Sequence, residues 1–159
     1  MIYCDIDGVL RDLCGAAKIN PDRWDCKIEG KSFINYFNEN IELLLLAEVT
    51  EYFEVVYYYH RYVEPIILLT SQPNPWRIRT LYWVKLHFPG CGPTVIFDDQ
   101  KLNRITDKDI LIEDYPRYDS YDNILLIDRP YNRTITLPHK RIMNPQQLHQ
   151  EMFRRKYGS

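Results

Sequence analysis

The stretch Met1-Ile2-Tyr3-Cys4-Asp5-Ile6-Asp7-Gly8-Val9-Leu10 decides how the rest of this chain is read. A short apolar start ends in Asp-x-Asp-Gly, which reads as a buried strand over residues 1–6 carrying two carboxylates at its C-terminal tip. Residues i and i+2 of a strand point to the same side. Two acids on one side of a strand end are costly unless a cation or an opposing charge sits with them. The opening therefore points to a divalent metal and acid chemistry. A plain turn uses the same residue types. A calcium-binding EF-hand loop does not fit, because the twelfth position counted from Asp5 is Ala16, which has no carboxylate.

Further apolar runs follow in order. Ile66-Ile67-Leu68-Leu69 ends in Thr70-Ser71-Gln72-Pro73, and Thr94-Val95-Ile96-Phe97 stands alone. Asp109-Ile110-Leu111-Ile112 ends in Glu113-Asp114, and Ile124-Leu125-Leu126-Ile127 ends in Asp128-Arg129-Pro130. Short unbroken apolar strands indicate burial on both faces, hence a mainly parallel sheet covered by helices. The pattern predicts a helix from Pro75 to His87 with Asn74 as its N-cap, and a last helix from Asn144-Pro145 to about Lys156. Residues 11–62 differ, being polar, aromatic and mostly helical. Pro21-Asp22-Arg23-Trp24 suggests a turn or helix start there. Ser32 is expected to cap a short helix through Phe37, Asn40 a longer one from Ile41, and Tyr57-Tyr58-Tyr59-His60 to end a helix before Pro65. The expected architecture is α/β, a Rossmann-like mainly parallel sheet flanked by helices. Residues 1–10 and 63–159 form its core, and 11–62 form a small helical cap inserted after the first strand.

Composition narrows the field. The chain has 159 residues, enough for one domain with a proper core. A net charge of -2 gives no basic footprint for duplex nucleic acid, so long nucleic acid is not expected. Arg154-Arg155-Lys156 reads as a solvated helix end. The cysteines Cys4, Cys14, Cys26 and Cys91 form no C-x-x-C pair, which argues against a zinc or redox motif and for a reduced, cytoplasmic protein. Acids at positions 5 and 7 precede any apolar h-region, so no secretory leader is expected. Apolar stretches such as Leu43 to Ala47 are too short to span a membrane. His60, His87, His139 and His149 show no ligand spacing.

In an open parallel sheet the strand ends gather along one edge, where ligands bind. Here that edge would collect Asp5 and Asp7, Thr70 and Ser71, and Glu113 and Asp114. Each type suits phosphoryl transfer. A carboxylate can act as nucleophile, and a second can protonate the leaving oxygen and later activate water. Hydroxyls beside a helix N-terminus can hold phosphate oxygens. Carboxylates from two strands can bind Mg²⁺ through hard oxygens. A lysine must offset charge on the pentavalent state. Lys101 is the better placed candidate, with Lys108 its rival. Asp128-Arg129 reads as a salt bridge or loop anchor.

In order and approximate spacing, Asp5-Ile6-Asp7-Gly8-Val9-Leu10, Leu68-Leu69-Thr70-Ser71, Lys101 and Ile112-Glu113-Asp114 resemble motifs I to IV of the haloacid dehalogenase superfamily of phosphatases. Within it the likeness is to the 5'(3')-deoxyribonucleotidases. That likeness is carried by Leu69-Thr70-Ser71-Gln72-Pro73, Tyr82-Trp83-Val84-Lys85, Asp109-Ile110-Leu111-Ile112-Glu113-Asp114 and Asp128-Arg129-Pro130-Tyr131-Asn132. The resemblance implies Asp5 as nucleophile, with Asp7 as general acid/base and metal ligand through its backbone carbonyl. It implies Thr70, Ser71 and Lys101 at the phosphate, and Mg²⁺ on Asp5, Asp7 and Glu113 or Asp114. The family often has two aspartates at the last position. Glu113 departs from that pattern and leaves open which of the two touches metal.

Residues 11–62 would then cover the site, excluding water and selecting substrate. Arg11, Leu13, Trp24, Phe33 and Phe37 are the candidates for substrate contact, against the alternative that the aromatics form the cap's own core. The expected activity is Mg²⁺-dependent phosphomonoester hydrolysis of a small phosphorylated substrate, a (deoxy)nucleoside monophosphate first. A polynucleotide 3'-end or a small metabolite is the second option. A non-catalytic nucleotide- or partner-binding relative is the third.

Overall fold

The computed structural model describes residues 1–90, 92–118, 121–133 and 140–158. Cys91 and His139, read above from sequence, lie outside the described residues. The sheet is built from β1 (Ile2–Cys4), β2 (Ile67–Thr70), β3 (Thr94–Phe97), β4 (Ile110–Glu113), β5 (Ile124–Ile127) and β6 (Arg141–Ile142). The helices are α1 (Leu13–Ala16), α2 (Phe33–Glu39), α3 (Leu43–Leu46), α4 (Phe53–Tyr62), α5 (Asn74–His87) and α6 (Pro145–Tyr157).

The strands run in the order β3-β2-β1-β4-β5-β6 and every pairing is parallel. The chain winds outward one way from β1 and then the other way from β4. The reversal falls between β1 and β4, where an open α/β sheet leaves its crevice. Asp5 leaves β1 on one side of it, and Glu113 and Asp114 end β4 on the other. Asp5 N donates to Ile112 O at 2.9 Å, which holds the two strand ends together.

Alternation along the strands splits the core. Ile2, Cys4, Leu68, Ile110, Ile112, Leu125 and Ile127 pack with α4, α5 and α6 in one continuous cluster. Leu69, Leu111 and Ile124 face the other way, against Tyr3, Ile96, Leu102 and Ile105. That second face is covered by the short connection from β3 to β4, whose regular structure is a 3-10 turn at Lys101–Asn103. The connection is about a dozen residues long, at the lower limit for a parallel crossover, so it lies flat on the sheet. Its course carries Lys101 back to the strand ends.

Local chemistry sets several boundaries. Ser32 caps α2 by accepting from Asn35 N, as its position predicts. Asn144 caps α6 by accepting from Gln147 N. Asn40 does not cap the next helix. Its side chain turns back and donates to Tyr36 O at 2.9 Å, closing α2, and α3 starts only at Leu43. Pro73, not Asn74, is the residue flanking α5. Strand β6 is absent from the sequence reading because two residues make no apolar run.

Within residues 11–62, α1 to α3 enclose a separate cluster of Leu13, Ile28, Phe37, Leu44 and Ala47, closed by Trp76 of α5. Helix α4 instead buries Phe53, Val56 and Tyr59 in the main core. Among the described residues no helix is long and apolar enough to cross a membrane.

Trp83 joins these parts. It is fully buried, its ring meets Phe53 edge-on at 6.2 Å, and its Nε1 donates to Ala47 O at 2.7 Å. Trp83→Ala should lower unfolding stability by about 3–5 kcal/mol in urea denaturation, since it leaves a cavity and an unpaired carbonyl together.

Candidate active site

Four ionisable side chains meet at the β1–β4 crevice. Lys101 Nζ lies 2.9 Å from Asp5 Oδ1 and 2.7 Å from Glu113 Oε2. Carboxylate oxygens of Asp5, Glu113 and Asp114 all lie within 4.8 Å of one another. All four residues are buried. Three acids against one ammonium leave a surplus of negative charge in a dry place.

The ionisation equilibria carry that imbalance. Burial raises Asp5 most, nearby Glu113 raises it further, and Lys101 opposes; the result is a carboxyl pushed up to about 8. Burial and then Asp5 raise Asp114 to about 6, with Tyr131 pulling the other way. Glu113 is raised by burial against the pull of Lys101. For Lys101, burial works against the charge, but Asp5 and Glu113 outweigh it and raise the ammonium above its usual range.

Hydrogen bonding distinguishes the acids. Glu113 is engaged at both oxygens. Oε2 holds Lys101, and Oε1 accepts from Asp114 N at 2.9 Å and Tyr115 N at 3.2 Å. Asp114 Oδ2 accepts from the Tyr131 hydroxyl, and Asn132 Nδ2 donates to Asp114 O at 2.9 Å. Asp5 Oδ1 is buried with no donor in hydrogen-bond geometry, despite its short distance to Lys101. An orphaned buried carboxylate oxygen beside two further carboxyls is a donor set that fits Mg²⁺, a hard cation bound by carboxylates.

Asp7 takes a neighbouring position. Its Oδ1 accepts from Arg11 Nε at 2.7 Å and its Oδ2 from Gln72 Nε2 at 2.5 Å. Thr80 Oγ1 donates to Gln72 Oε1 at 2.8 Å and accepts from Arg11 Nη2 at 3.0 Å, which closes the ring of contacts. Arg11 is fully buried and also donates to Leu44 O at 2.9 Å. The sequence reading of Arg11 as a substrate contact is thereby corrected: its guanidinium is spent on orienting Asp7 and anchoring α3. Thr70 is buried at the end of β2, and exposed Ser71 donates to Asp99 Oδ1 at 2.7 Å. Lys108 is exposed and lines the opposite edge of the sheet.

The remaining candidates separate by burial. Leu13 and Phe37 are core residues of the 11–62 segment and Phe33 packs partly against them, so these three do not offer a substrate face. The physical reason is their helical spacing toward one shared interior. Trp24 is different. It stands 48% exposed, with its ring 4.9 Å from Tyr115 and 5.5 Å from Tyr131. This aromatic group roofs Asp114.

Three site residues, Gln72, Thr80 and Tyr131, carried no separate sequence signal, whereas Arg129 is the loop anchor the sequence reading expected. Arg129 Nε donates to Gly8 O at 2.8 Å and its Nη1 to Glu51 at 2.8 Å, which ties the β5 end to the β1 loop. Asp128 pairs with Arg133 and Arg141, the anchor expected of it. The Asp128-Arg129-Pro130-Tyr131-Asn132 stretch was the available pointer, since each of its polar residues holds a neighbour of the acids or of their loops.

Clefts of about 390 and 580 Å³ open at the other, N-terminal edge of the sheet, beside Met1 and Glu64. Chemistry belongs with the buried acids rather than there. The clefts hold paired surface charges such as Lys156 with Glu64, whereas the crevice buries three carboxyls against a single ammonium.

Comparison with protein-family models gives no match, and comparison with curated proteins gives none either. A solved structure from Thermotoga maritima, provisionally assigned as a beta-phosphoglucomutase, matches with a TM-score of 0.53 at 14% identity, over 96% of this chain and 97% of that one. The likeness is one of fold. This chain has the haloacid dehalogenase-like α/β arrangement.

Two outcomes test the site's construction. Gly8 has φ of +78°, and a Cβ there would stand 1.9 Å from Asp114 Oδ2 and 2.6 Å from the Tyr131 hydroxyl. Gly8→Ala should therefore cost on the order of 2–4 kcal/mol in chemical denaturation, combining left-handed strain with a clash. The second outcome concerns Asp5. Between the ordinary carboxyl value of 3.8 and about 8, the unfolded chain has released the Asp5 proton while the folded chain keeps it. Stability therefore falls as pH rises through that window. Asp5→Asn should remove the Asp5 share of this slope, leaving the smaller one from Asp114, whose carboxyl is pushed up to about 6. In EDTA the variant's thermal midpoint should gain on the wild type between pH 5 and pH 8.

Proposed function

We propose that the protein is a Mg²⁺-dependent phosphomonoesterase in which Asp5 is the nucleophile. The observation that supports this most is the Lys101 ammonium bridging Asp5 and Glu113 in a buried crevice, with Asp114 beside them. An ammonium so placed binds both the carboxylate nucleophile and an incoming phosphoryl oxygen, which is the charge stabilisation phosphoryl transfer needs.

Each chain residue has a step. A carboxylate oxygen of Asp5 attacks phosphorus, and the bond from phosphorus to the ester oxygen breaks. As substrate enters, Asp7 Oδ2 leaves Gln72 and takes up a proton from solvent, and Asp7 gives that proton to the leaving oxygen while Arg11 holds Oδ1. Asp7 then takes a proton from water, which attacks the aspartyl-phosphate, releases inorganic phosphate and restores Asp5. Thr70 and Ser71 bind phosphoryl oxygens, the Ser71 hydroxyl leaving Asp99 to do so. Asp5 and Asp114, with the Asp7 backbone carbonyl, would hold the ion, while Glu113 holds Lys101. When bound, Mg²⁺ neutralises phosphate charge and lowers the cost of gathering these acids.

Residues 11–47, which carry α1 to α3 and their own apolar cluster, cover the site, while α4 belongs to the main core. With Asp5, Lys101, Glu113 and Asp114 all buried, substrate enters by movement of this cover, in which Trp24 meets Tyr115 and Tyr131. The exposed Trp24 ring at the mouth supports a substrate with a flat aromatic part, hence a nucleoside monophosphate over a sugar phosphate.

The test is phosphate release with Mg²⁺ across nucleoside monophosphates, sugar phosphates and 3'-phosphorylated oligonucleotides. Mononucleotides should lead. Asp5→Asn should lower kcat by on the order of 1,000-fold or more with the fold retained. Full activity in that variant would remove Asp5 as nucleophile. Preference for oligonucleotide ends would replace the substrate assignment and leave the chemistry standing.

A further inference from the structure

Helix α5 is apolar on two sides. Trp76, Thr80, Trp83 and Val84 face the interior. Ile78, Leu81, Tyr82 and Leu86 are 53%, 47%, 60% and 67% exposed. Single exposed apolar residues are ordinary on a protein surface. These four are not scattered. Ile78, Tyr82 and Leu86 recur at i, i+4 and i+8, so they form one line up the outer side of the helix, with Leu81 next to it.

Helix α3 widens the stripe. It lies along α5 through the Trp83 bond to Ala47 O and through Arg79 Nη2, 3.0 Å from Glu42 Oε1. Leu46, the last residue of α3, is 71% exposed. Together the five side chains expose on the order of 600 Å², close to the roughly 800 Å² per partner of a standard interface and at the top of what a monomer leaves bare.

We propose that this face joins two copies of the chain, α5 packing antiparallel against α5 about a two-fold axis at Tyr82. A two-fold contact requires a surface that complements itself. The stripe has that property. Counted from Tyr82, apolar residues fall at four positions before and four after, so Ile78 of one copy meets Leu86 of the other, and the two Tyr82 rings meet at the axis. Charge fits as well. Helix α5 carries Arg77, Arg79 and Lys85 and no acid, which would oppose self-pairing if those cations stood bare. About this axis Lys85 comes opposite Arg79, three residues either side of Tyr82. Arg79 is already paired with Glu42, so each Lys85 approaches a neutralised pair and a carboxylate.

The proposal is independent of the enzymatic reading, since neither the stripe nor α3 belongs to the acid crevice. Sedimentation equilibrium of the 19.2 kDa chain at tens of micromolar should give twice that mass. Tyr82→Glu places like charges at the axis and should weaken the dimer about 100-fold or more, with far-UV circular dichroism unchanged. Leu86→Lys should do the same from the end of the stripe, and it carries the test if Tyr82→Glu does not fold. Lys108→Glu, at the N-terminal edge of the sheet, should leave the dimer intact. A monomeric wild type overturns the proposal, whether it stays alone or binds lipid vesicles through this face. So does a dimer that persists in both stripe variants.

Discussion

One buried ammonium answers three buried carboxyls, and the arrangement around the β1–β4 crevice follows from that shortage. Lys101 reaches Asp5 and Glu113 because the β3–β4 connection is too short for a helix and lies flat across the sheet. Glu113 is consumed in holding the lysine and in capping the two amides that follow it. Asp114 is steadied by Tyr131 and Asn132, and Gly8 leaves the space those groups fill. Asp5 keeps one oxygen without a hydrogen bond. Burying these groups together costs several kcal/mol, and an extensive apolar cluster under α4, α5 and α6 offsets it.

The second acid of the opening motif is handled in the opposite manner. Asp7 is matched by Arg11 and Gln72, which are themselves locked by Thr80 and the Leu44 carbonyl. Two carboxyls two residues apart thus stand in different surroundings, one short of charge partners and one fully supplied. Placing paired acids in unlike environments is how a site separates a nucleophile from a proton carrier.

Much of the sheet was legible because parallel strands buried on both sides read as unbroken apolar runs, as β2, β4 and β5 do; β3 reads the same way although it is the partly exposed edge strand. The rim acids were legible for the same reason, as polar residues that end those runs. What escaped the sequence was side-chain direction. Arg11 follows the Asp5–Gly8 loop closely enough to suggest substrate contact, yet its guanidinium turns inward to Asp7 and α3. Asn40 has a good capping side chain, but it closes the helix behind it rather than opening the one ahead. Leu13 and Phe37 look from sequence like residues facing a ligand and instead form the interior of the α1–α3 cluster. Tyr131 and Gln72 act across more than 15 residues of sequence, and no local pattern encodes such a reach.

Calorimetric titration with Mg²⁺ near neutral pH is the most direct test of a crevice held short of positive charge. The account expects one ion per chain in the wild type, with binding lost or weakened at least about 10-fold in Asp5→Asn and in Asp114→Asn. Wild-type protein that takes up no Mg²⁺, or binding unchanged in both variants, would contradict it.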